Sequence, residues 1–344
     1  MKTFPRRPLV LLLFITLIIV VPASGRDWEK DPPWLEIPFA PRIVAIGDIH
    51  GAFPEFANTL ETLGIAKRSS PESFDLTWTG KGSVLLLVGD YCDRGEHSRE
   101  VYDSIMDLEE EARKVGGQVI PLIGNHEVLL LNGTVEKWAA TLKPPKKQHY
   151  QNTIDSFTKA GLDFHETISP KGKYGAWIRR RPLFAVINGF LFIHGGLPKP
   201  PASKSDLAAD FRESVEAENW SKGFLMSETG PLWIRDWWDD ETLIQENFRN
   251  LGIRGVVFGH TPGALGTEGE IQQKDGKIVS IDIGMTPAYG FSKGGGLLIT
   301  SDASGKMVFR AKYPDRPEAI LFQCPAPINS SIQKFQEKKS QSIR

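Results

Sequence analysis

A chain of 344 residues is long enough for one large domain or two small ones, and its 40% hydrophobic content can fill a core. Lysine plus arginine number 41 against 42 acidic residues, a formal net charge of −1, so bulk electrostatics draws it toward neither nucleic acid nor an anionic membrane surface. Two cysteines, Cys92 and Cys324, are too few for a disulfide framework, and both read as free thiols.

At the start, Lys2, Arg6 and Arg7 precede an apolar stretch from Leu9 to Val21, and "PASG" then puts Ala23 and Gly25 at the −3 and −1 positions of a cleavage site. That is the shape of a secretory signal peptide over 1–25, with a mature chain beginning near Arg26. The run falls short of the about 20 apolar residues of a spanning helix. Left uncleaved it would anchor the protein to a membrane. Either outcome places the domain outside the cytoplasm, secreted or periplasmic. Arg6 and Arg7 also fit a twin-arginine export signal, although an ordinary basic leader explains them more simply. Sequons at Asn132, Asn219 and Asn329 matter only in a host that glycosylates.

Residues 26–40 form a Pro-rich lead-in with no period, 41–312 one α/β domain, and 313–344 a tail ending in the polar, basic "KFQEKKSQSIR". Within the domain five apolar runs share one feature. "RIVAI" runs into "GDIHG", "SVLLLV" into "GDYCDRG", "GQVIPLI" into "GNHE", "GFLFI" into "HGG", and "RGVVF" into "GHT". Each is short, β-branched and apolar without alternation, as in a strand buried on both faces. Each delivers polar residues just past its C-terminal end, where open α/β sheets bind ligands. Helices are predicted over 54–65 and from about Ser98 to a stop at Gly116. "AVINGFLFI" reads as a hairpin turning at Asn188-Gly189.

The polar residues so delivered are Asp48, His50, Asp90, Asp93, Arg94, Asn125, His126, Glu127, His194 and His260. Carboxylates and imidazoles gathered at one sheet edge would repel or desolvate badly without compensation. Divalent cations resolve this. Oxygen and imidazole donors without thiolate favour Mn, Fe or Zn.

Taken in order, the five motifs resemble the calcineurin-like metallophosphatases, and more narrowly the PPP protein phosphatases. "GDYCDRGEHSREVYD", "PLIGNHEVLLLNG", "FGHT" and "IDIGM" are most similar to the Shewanella-like phosphatases. The resemblance implies a central β-sandwich flanked by helices, with a dinuclear metal site at strand C-terminal ends. Asp48, His50 and Asp90 would hold one ion. Asp90, Asn125, His194 and His260 would hold the other, with Asp90 bridging. Many broader metallophosphatases carry a second histidine two residues after the one in "GHT"; here Pro262 stands there, which disfavours a general phosphodiesterase.

From that layout follows direct, in-line attack on phosphorus by a hydroxide shared between the ions. Arg94 would hold phosphoryl oxygens, helped by Asn125 and by Arg235 from "GPLWIRDWWDD". His126 would protonate the leaving group, and Asp93 would orient that imidazole and raise its pKa. Glu127 would support the loop without ligating, and Cys92 would only pack. Arg235 reads otherwise as a surface salt bridge. The tryptophans around it read as core, "WIRRRPL" (177–183) as a basic rim or a charged hairpin edge, and His97, His149 and His165 as ordinary histidines. The insert over 132–173 would cap the site.

The expected activity is therefore that of an exported, metal-dependent phosphomonoesterase, a protein phosphatase taking phosphorylated protein or peptide and no nucleic acid. A symmetrical dinucleoside tetraphosphatase is the enzymatic alternative. A metal-binding protein without turnover is the other, and His126, Asp93 and Arg94 speak against it.

Overall fold

A computed structural model describes residues 26–290 and 292–326. The predicted leader over 1–25, the sequon at Asn329 and the basic end of the tail lie outside the described residues. In chain order come β1 (Trp34–Ile37), β2 (Arg42–Ile46), α1 (Phe53–Thr62), β3 (Ala66–Arg68), β4 (Leu76–Trp78), β5 (Val84–Leu87), α2 (Ser98–Lys114) and β6 (Gln118–Pro121). A helical stretch follows: α3 (Asn125–Leu131), α4 (Thr134–Thr141), α5 (Lys146–Thr158), α6 (Phe164–Ile168) and α7 (Lys173–Ile178). Then come β7 (Phe184–Ile187), β8 (Phe190–Ile193), α8 (Lys204–Glu216), α9 (Glu241–Leu251) and β9 (Gly255–Phe258). The chain closes with β10 (Gln272–Lys274), β11 (Ile278–Ser280), β12 (Gly296–Ser301), β13 (Met307–Lys312) and β14 (Ala319–Cys324). None of these helices is long and apolar enough to cross a membrane.

Two six-stranded sheets stack, one in the order β1-β7-β8-β9-β11-β10 and the other β14-β13-β12-β2-β5-β6. All five motif-bearing runs are strands. In the second sheet β2, β5 and β6 run parallel; in the first, β8 and β9 do. Alternation along each strand shows why their sequences lack it. Phe190 and Phe192 of β8 face the core between the sheets, where the Phe190 ring lies 4.9 Å from that of Phe309. Leu191 and Ile193 face a second core, against Phe211 of α8 and Leu251 of α9. With both faces buried, each position is apolar. Such a phenylalanine contributes about 1.5–3 kcal/mol by leaving water.

The predicted hairpin is present, with Asn188 at φ 54° and Gly189 at φ 79°, the positive pair that a tight two-residue turn requires. Gly116, at φ 77°, follows α2, whose last turn carries Arg113 and Lys114 at its negative end. Three expectations are corrected. The lead-in contains a strand, since β1 pairs parallel with β7. The region after 312 is not wholly a tail: β14 pairs antiparallel with β13 and extends the sheet to Cys324. And "WIRRRPL" is neither rim nor free edge. β1 covers the hairpin, while Arg179 and Arg181 are buried and donate to the carbonyls of Ile168 and Trp177 and to Glu218 and Glu109.

Candidate active site

At the C-terminal ends of β2, β5, β6, β8 and β9 the structure brings together Asp48, His50, Asp90, Asn125, His194 and His260, all of them buried. Asp90 stands in the middle. Its Oδ2 lies 3.5 Å from His50 Nε2, and its Oδ1 lies 3.4 Å from His194 Nε2. His50 Nε2 is also 3.9 Å from Asp48 Oδ2. Two groups could each hold a metal ion, His50 with Asp90 and His126, and Asp90 with His194 and His260. Asp90 belongs to both.

Backbone carbonyls fix which nitrogen of each imidazole carries the proton. His50 Nδ1 donates to Cys92 O at 2.8 Å, His194 Nδ1 to Val88 O at 3.0 Å, and His260 Nε2 to Trp233 O at 3.2 Å. A carbonyl only accepts, so the opposite nitrogen turns its lone pair inward in all three. Asn125 Oδ1 joins them, 2.7 Å from His194 Nε2 and 3.1 Å from His260 Nδ1. Turned over, the amide would instead donate to both nitrogens and to Asp90. An oxygen facing lone pairs on every side is favourable only around a cation, and the donor set fits one.

Protonation tendencies agree. Burial, then the charges of Asp282 and Asp90, push the Asp48 carboxyl well above its ordinary value. Burial and then Glu127 do the same to Asp90. Burial drives His194 down to about 3, and burial with Arg94 lowers His50 well below its usual value. The cluster thus holds neutral imidazoles beside carboxylates whose charge Arg94 offsets only in part.

The loops reach these positions through strained backbone. His50, Asp90, Asp93, Arg94 and His260 all have positive φ, between 49° and 70°. Gly124 clears room for Asp90, since a Cβ there would run into the Asp90 carboxylate and backbone nitrogen. Glu127 ties the motifs together. Its carboxylate accepts from the backbone N–H groups of Asp90 (2.8 Å), Tyr91 (2.9 Å) and Gly124 (3.0 Å) and from the Tyr102 hydroxyl (3.0 Å). Cys92 is fully buried, its thiol 3.8 Å from His126 O and Glu127 Oε1 and pushed well up in pKa by burial and then Asp93.

His126 is the first turn of α3, and its N–H donates to Asp90 Oδ1 at 2.9 Å. Its Nδ1 meets Asp93 Oδ2 at 2.6 Å, leaving Nε2 toward the cluster, 3.9 Å from Asp90 Oδ2. The expected upward shift is not the net outcome: burial and then Arg94 lower the His126 pKa, against the opposing pull of Asp93. The Arg94 guanidinium contacts the His50 ring, comes within 3.3 Å of His126 Nε2, and lies 5.2 Å from the Tyr289 ring centroid. Arg235 is exposed and donates to His260 O (3.0 Å) and Thr261 Oγ1 (2.7 Å). It therefore sits on the rim of the cluster and is not a surface salt bridge. Trp237 and Trp238 are core, as expected, while Trp233 is half-buried with its ring 6.2 Å from that of His260.

The insert reaches the site through α5. Thr153 Oγ1 accepts from Asp93 N (2.8 Å) and donates to Asp93 Oδ1 (2.8 Å). Asn152 donates to Arg94 O (2.8 Å), and Arg94 N donates to His149 O (2.7 Å). His149 therefore acts through its backbone. Sequence reasoning missed Thr153, Tyr289 and Asp282. Asp282 is buried, accepts from Gly284 N at 3.0 Å and is raised to about 6 by burial. "IDIGM" had flagged that stretch as a resemblance without giving Asp282 a role.

The calcineurin-like phosphoesterase family matches residues 41–264. Shewanella-like protein phosphatase 2 of Arabidopsis thaliana is 24% identical, covering 71% of this chain and 71% of its own length. A symmetrical bis(5'-nucleosyl)-tetraphosphatase of Aromatoleum aromaticum is 31% identical over 58% of this chain and 60% of its own. The crystal structure of a cold-active protein-tyrosine phosphatase of a psychrophilic Shewanella species is similar in fold, with a TM-score of 0.63 at 21% identity, covering 85% of this chain and 82% of that one.

Proposed function

The chain belongs to the calcineurin-like phosphoesterase family, and on that footing we propose that it is a metal-dependent phosphomonoesterase acting on phosphorylated protein or peptide. One observation carries the reading: His126, held on Asp93 at 2.6 Å, presents its other nitrogen beside a cluster of inward-facing metal donors. A pure metal binder has no use for that dyad. Similarity to the Shewanella-like protein phosphatases extends over more of the chain than similarity to the tetraphosphatase, which supports the protein substrate.

Asp48, His50 and Asp90 would hold one ion, and Asp90, Asn125, His194 and His260 the other; Mn, Fe or Zn suits this donor set. Bound there, two such ions supply Lewis acidity toward phosphoryl oxygens and make hydroxide available near neutral pH. The chain's own residues do the rest. The Arg94 fork binds and orients the phosphoryl group, with Asn125 and Arg235 at its margins. His126 Nε2 delivers a proton to the departing oxygen, and Asp93 keeps Nδ1 protonated and the ring aimed. Export is proposed on the basic leader, the apolar run and "PASG"; amino-terminal sequencing of protein from its host, expected to begin near Arg26, tests it.

The functional test is metal-stripped protein reconstituted ion by ion, assayed on a phosphopeptide panel and on diadenosine tetraphosphate. Metal-dependent turnover of phosphopeptide is expected. Full activity without metal, or turnover of the dinucleotide alone, would overturn the reading.

A further inference from the structure

Beside the site lies a cavity of about 450 Å³, with Gly51, Arg94, Gly95, Thr286, Pro287 and Ala288 among its walls. Its volume is in the range of small-molecule sites. Arg94 belongs to the cavity and to the cluster at once, since its guanidinium contacts the His50 ring and comes within 3.3 Å of His126 Nε2. A phosphoryl group on the Arg94 fork therefore sits at the edge of this space. In phosphoserine only Cβ stands between the departing oxygen and Cα, so the main chain of a peptide substrate passes close to Arg94 whatever its sequence.

The walls stand before any ligand arrives. Gly95 N donates to His50 O at 2.9 Å and His97 N to Gly51 O at 3.0 Å, which ties the "GDIHG" and "GDYCDRG" loops together. They lie so close that a Cβ at Gly51 would stand 2.8 Å from Gly95 O, and one at Gly95 2.5 Å from His50 O. Asn152 of α5, also on the wall, donates to Arg94 O at 2.8 Å. Another wall is a β-turn just after "IDIGM", closed by Tyr289 N donating to Thr286 O at 3.0 Å, with Pro287 and Ala288 exposed at its tip. Proline in the second place of such a turn fixes its φ. The Arg94 guanidinium, 5.2 Å from the Tyr289 ring centroid, holds the turn against the site. A cleft with fixed walls binds a chain without the cost of ordering its own loops.

We propose that this cavity is a subsite for the residues adjoining the phosphorylated one in a peptide substrate. It serves one side of the phosphorylated residue only, since Arg94, and neither Asn125 nor Arg235, lies on its wall. The inference rests on the protein-phosphatase reading above.

The test uses the full chain loaded with metal. A phosphopeptide is shortened one residue at a time from either end, and its kcat/KM is compared with that of p-nitrophenyl phosphate. The comparison is made in wild type and in Ala288→Trp, which fills the cavity from an exposed turn position; Ala288→Ser, which leaves it open, is the control. In wild type and in Ala288→Ser, shortening should lower kcat/KM on the order of tenfold from one end and little from the other. In Ala288→Trp the long peptide should fall to the level of the shortened one, while p-nitrophenyl phosphate turnover stays within about twofold. Four results overturn the subsite: neither end matters in wild type, both ends matter alike, Ala288→Trp still favours the long peptide, or Ala288→Trp is equally impaired on p-nitrophenyl phosphate. If wild type hydrolyses p-nitrophenyl phosphate or diadenosine tetraphosphate but no phosphopeptide, the protein-phosphatase reading itself falls, and the subsite with it.

Discussion

His126 sits between two roles that a substitution can separate. Nε2 lies close enough to His50 and Asp90 to share an ion with them, yet the Asp93 contact on Nδ1 suits a proton donor. His126→Asn is expected to keep its metals and lose 10²–10⁴-fold on phosphoserine peptide. It should lose clearly less on p-nitrophenyl phosphate, whose leaving group departs as a stable anion. Metal content beside the two rates decides: loss of metal, or equal loss on both substrates, makes His126 a ligand or scaffold residue. Cys92 offers the opposite case. Its thiol is sealed in and protonated, and its contact with His50 runs through the backbone carbonyl, so Cys92→Val in a folded, metal-loaded protein should stay within about tenfold of the wild-type rate, a barrier change under about 1.4 kcal/mol. At this scale the clustering was readable wherever a polar residue followed an apolar strand, which marked Asp48, His50, Asp90, Asn125, His194 and His260 together with His126, Asp93 and Arg94. Asp282 also follows a strand, β11, but no further acid, amide or histidine stands beside it to mark the spot. Thr153 meets Asp93 only through a contact 60 residues long in sequence, and no local pattern encodes such a meeting.

Helix α5 shows what the insert contributes as an element. It grips the Asp93-Arg94 turn at three points: Thr153 on Asp93, Asn152 on Arg94 O, and the His149 carbonyl on Arg94 N. Both gripped residues hold positive φ, so the helix supplies the contacts that keep an unfavourable turn in place. Thr153→Val removes a donor and an acceptor from a buried carboxylate and its N–H, a cost of about 1–3 kcal/mol. Because it acts through Asp93, it should lower phosphoserine-peptide turnover more than p-nitrophenyl phosphate turnover, in the sense of His126→Asn but more mildly. Thermal unfolding measured alongside separates the two effects, and an equal loss on both substrates would reduce Thr153 to a stability role. The buried strands and α1 and α2 were legible because burial on two faces, or on one helical stripe, forces the composition. β1 and β14 were not. Their side chains are mostly half-buried or exposed, so the pattern that identifies a core strand is missing from both.

Across the whole molecule, the donor cluster joins the two sheets. Asp48, His50, Asp90 and Asn125 follow strands of one sheet, and His194 and His260 follow strands of the other. Ions held between them would tie the halves of the sandwich together and link occupancy to folding. Stripping the metal should lower Tm by roughly 4 °C per site, taking about 2.7 kcal/mol for a site at a hundred times its Kd, and readdition should restore it. Calorimetry with and without chelator checks this; an unchanged Tm in protein shown to have lost its metal would mean that the sheets do not need the tie. The left-handed backbone at His50, Asp90, Asp93, Arg94 and His260 has its own consequence over generations. At roughly 1–2 kcal/mol each for ordinary residues, the five together rival the 5–15 kcal/mol by which a typical domain outlasts unfolding. Glycine would relax any of them and delete the chemistry in the same stroke. A lineage selected for heat resistance alone would therefore drift toward glycine at these five places, and a descendant that keeps Asp, His and Arg there testifies that turnover has remained under selection.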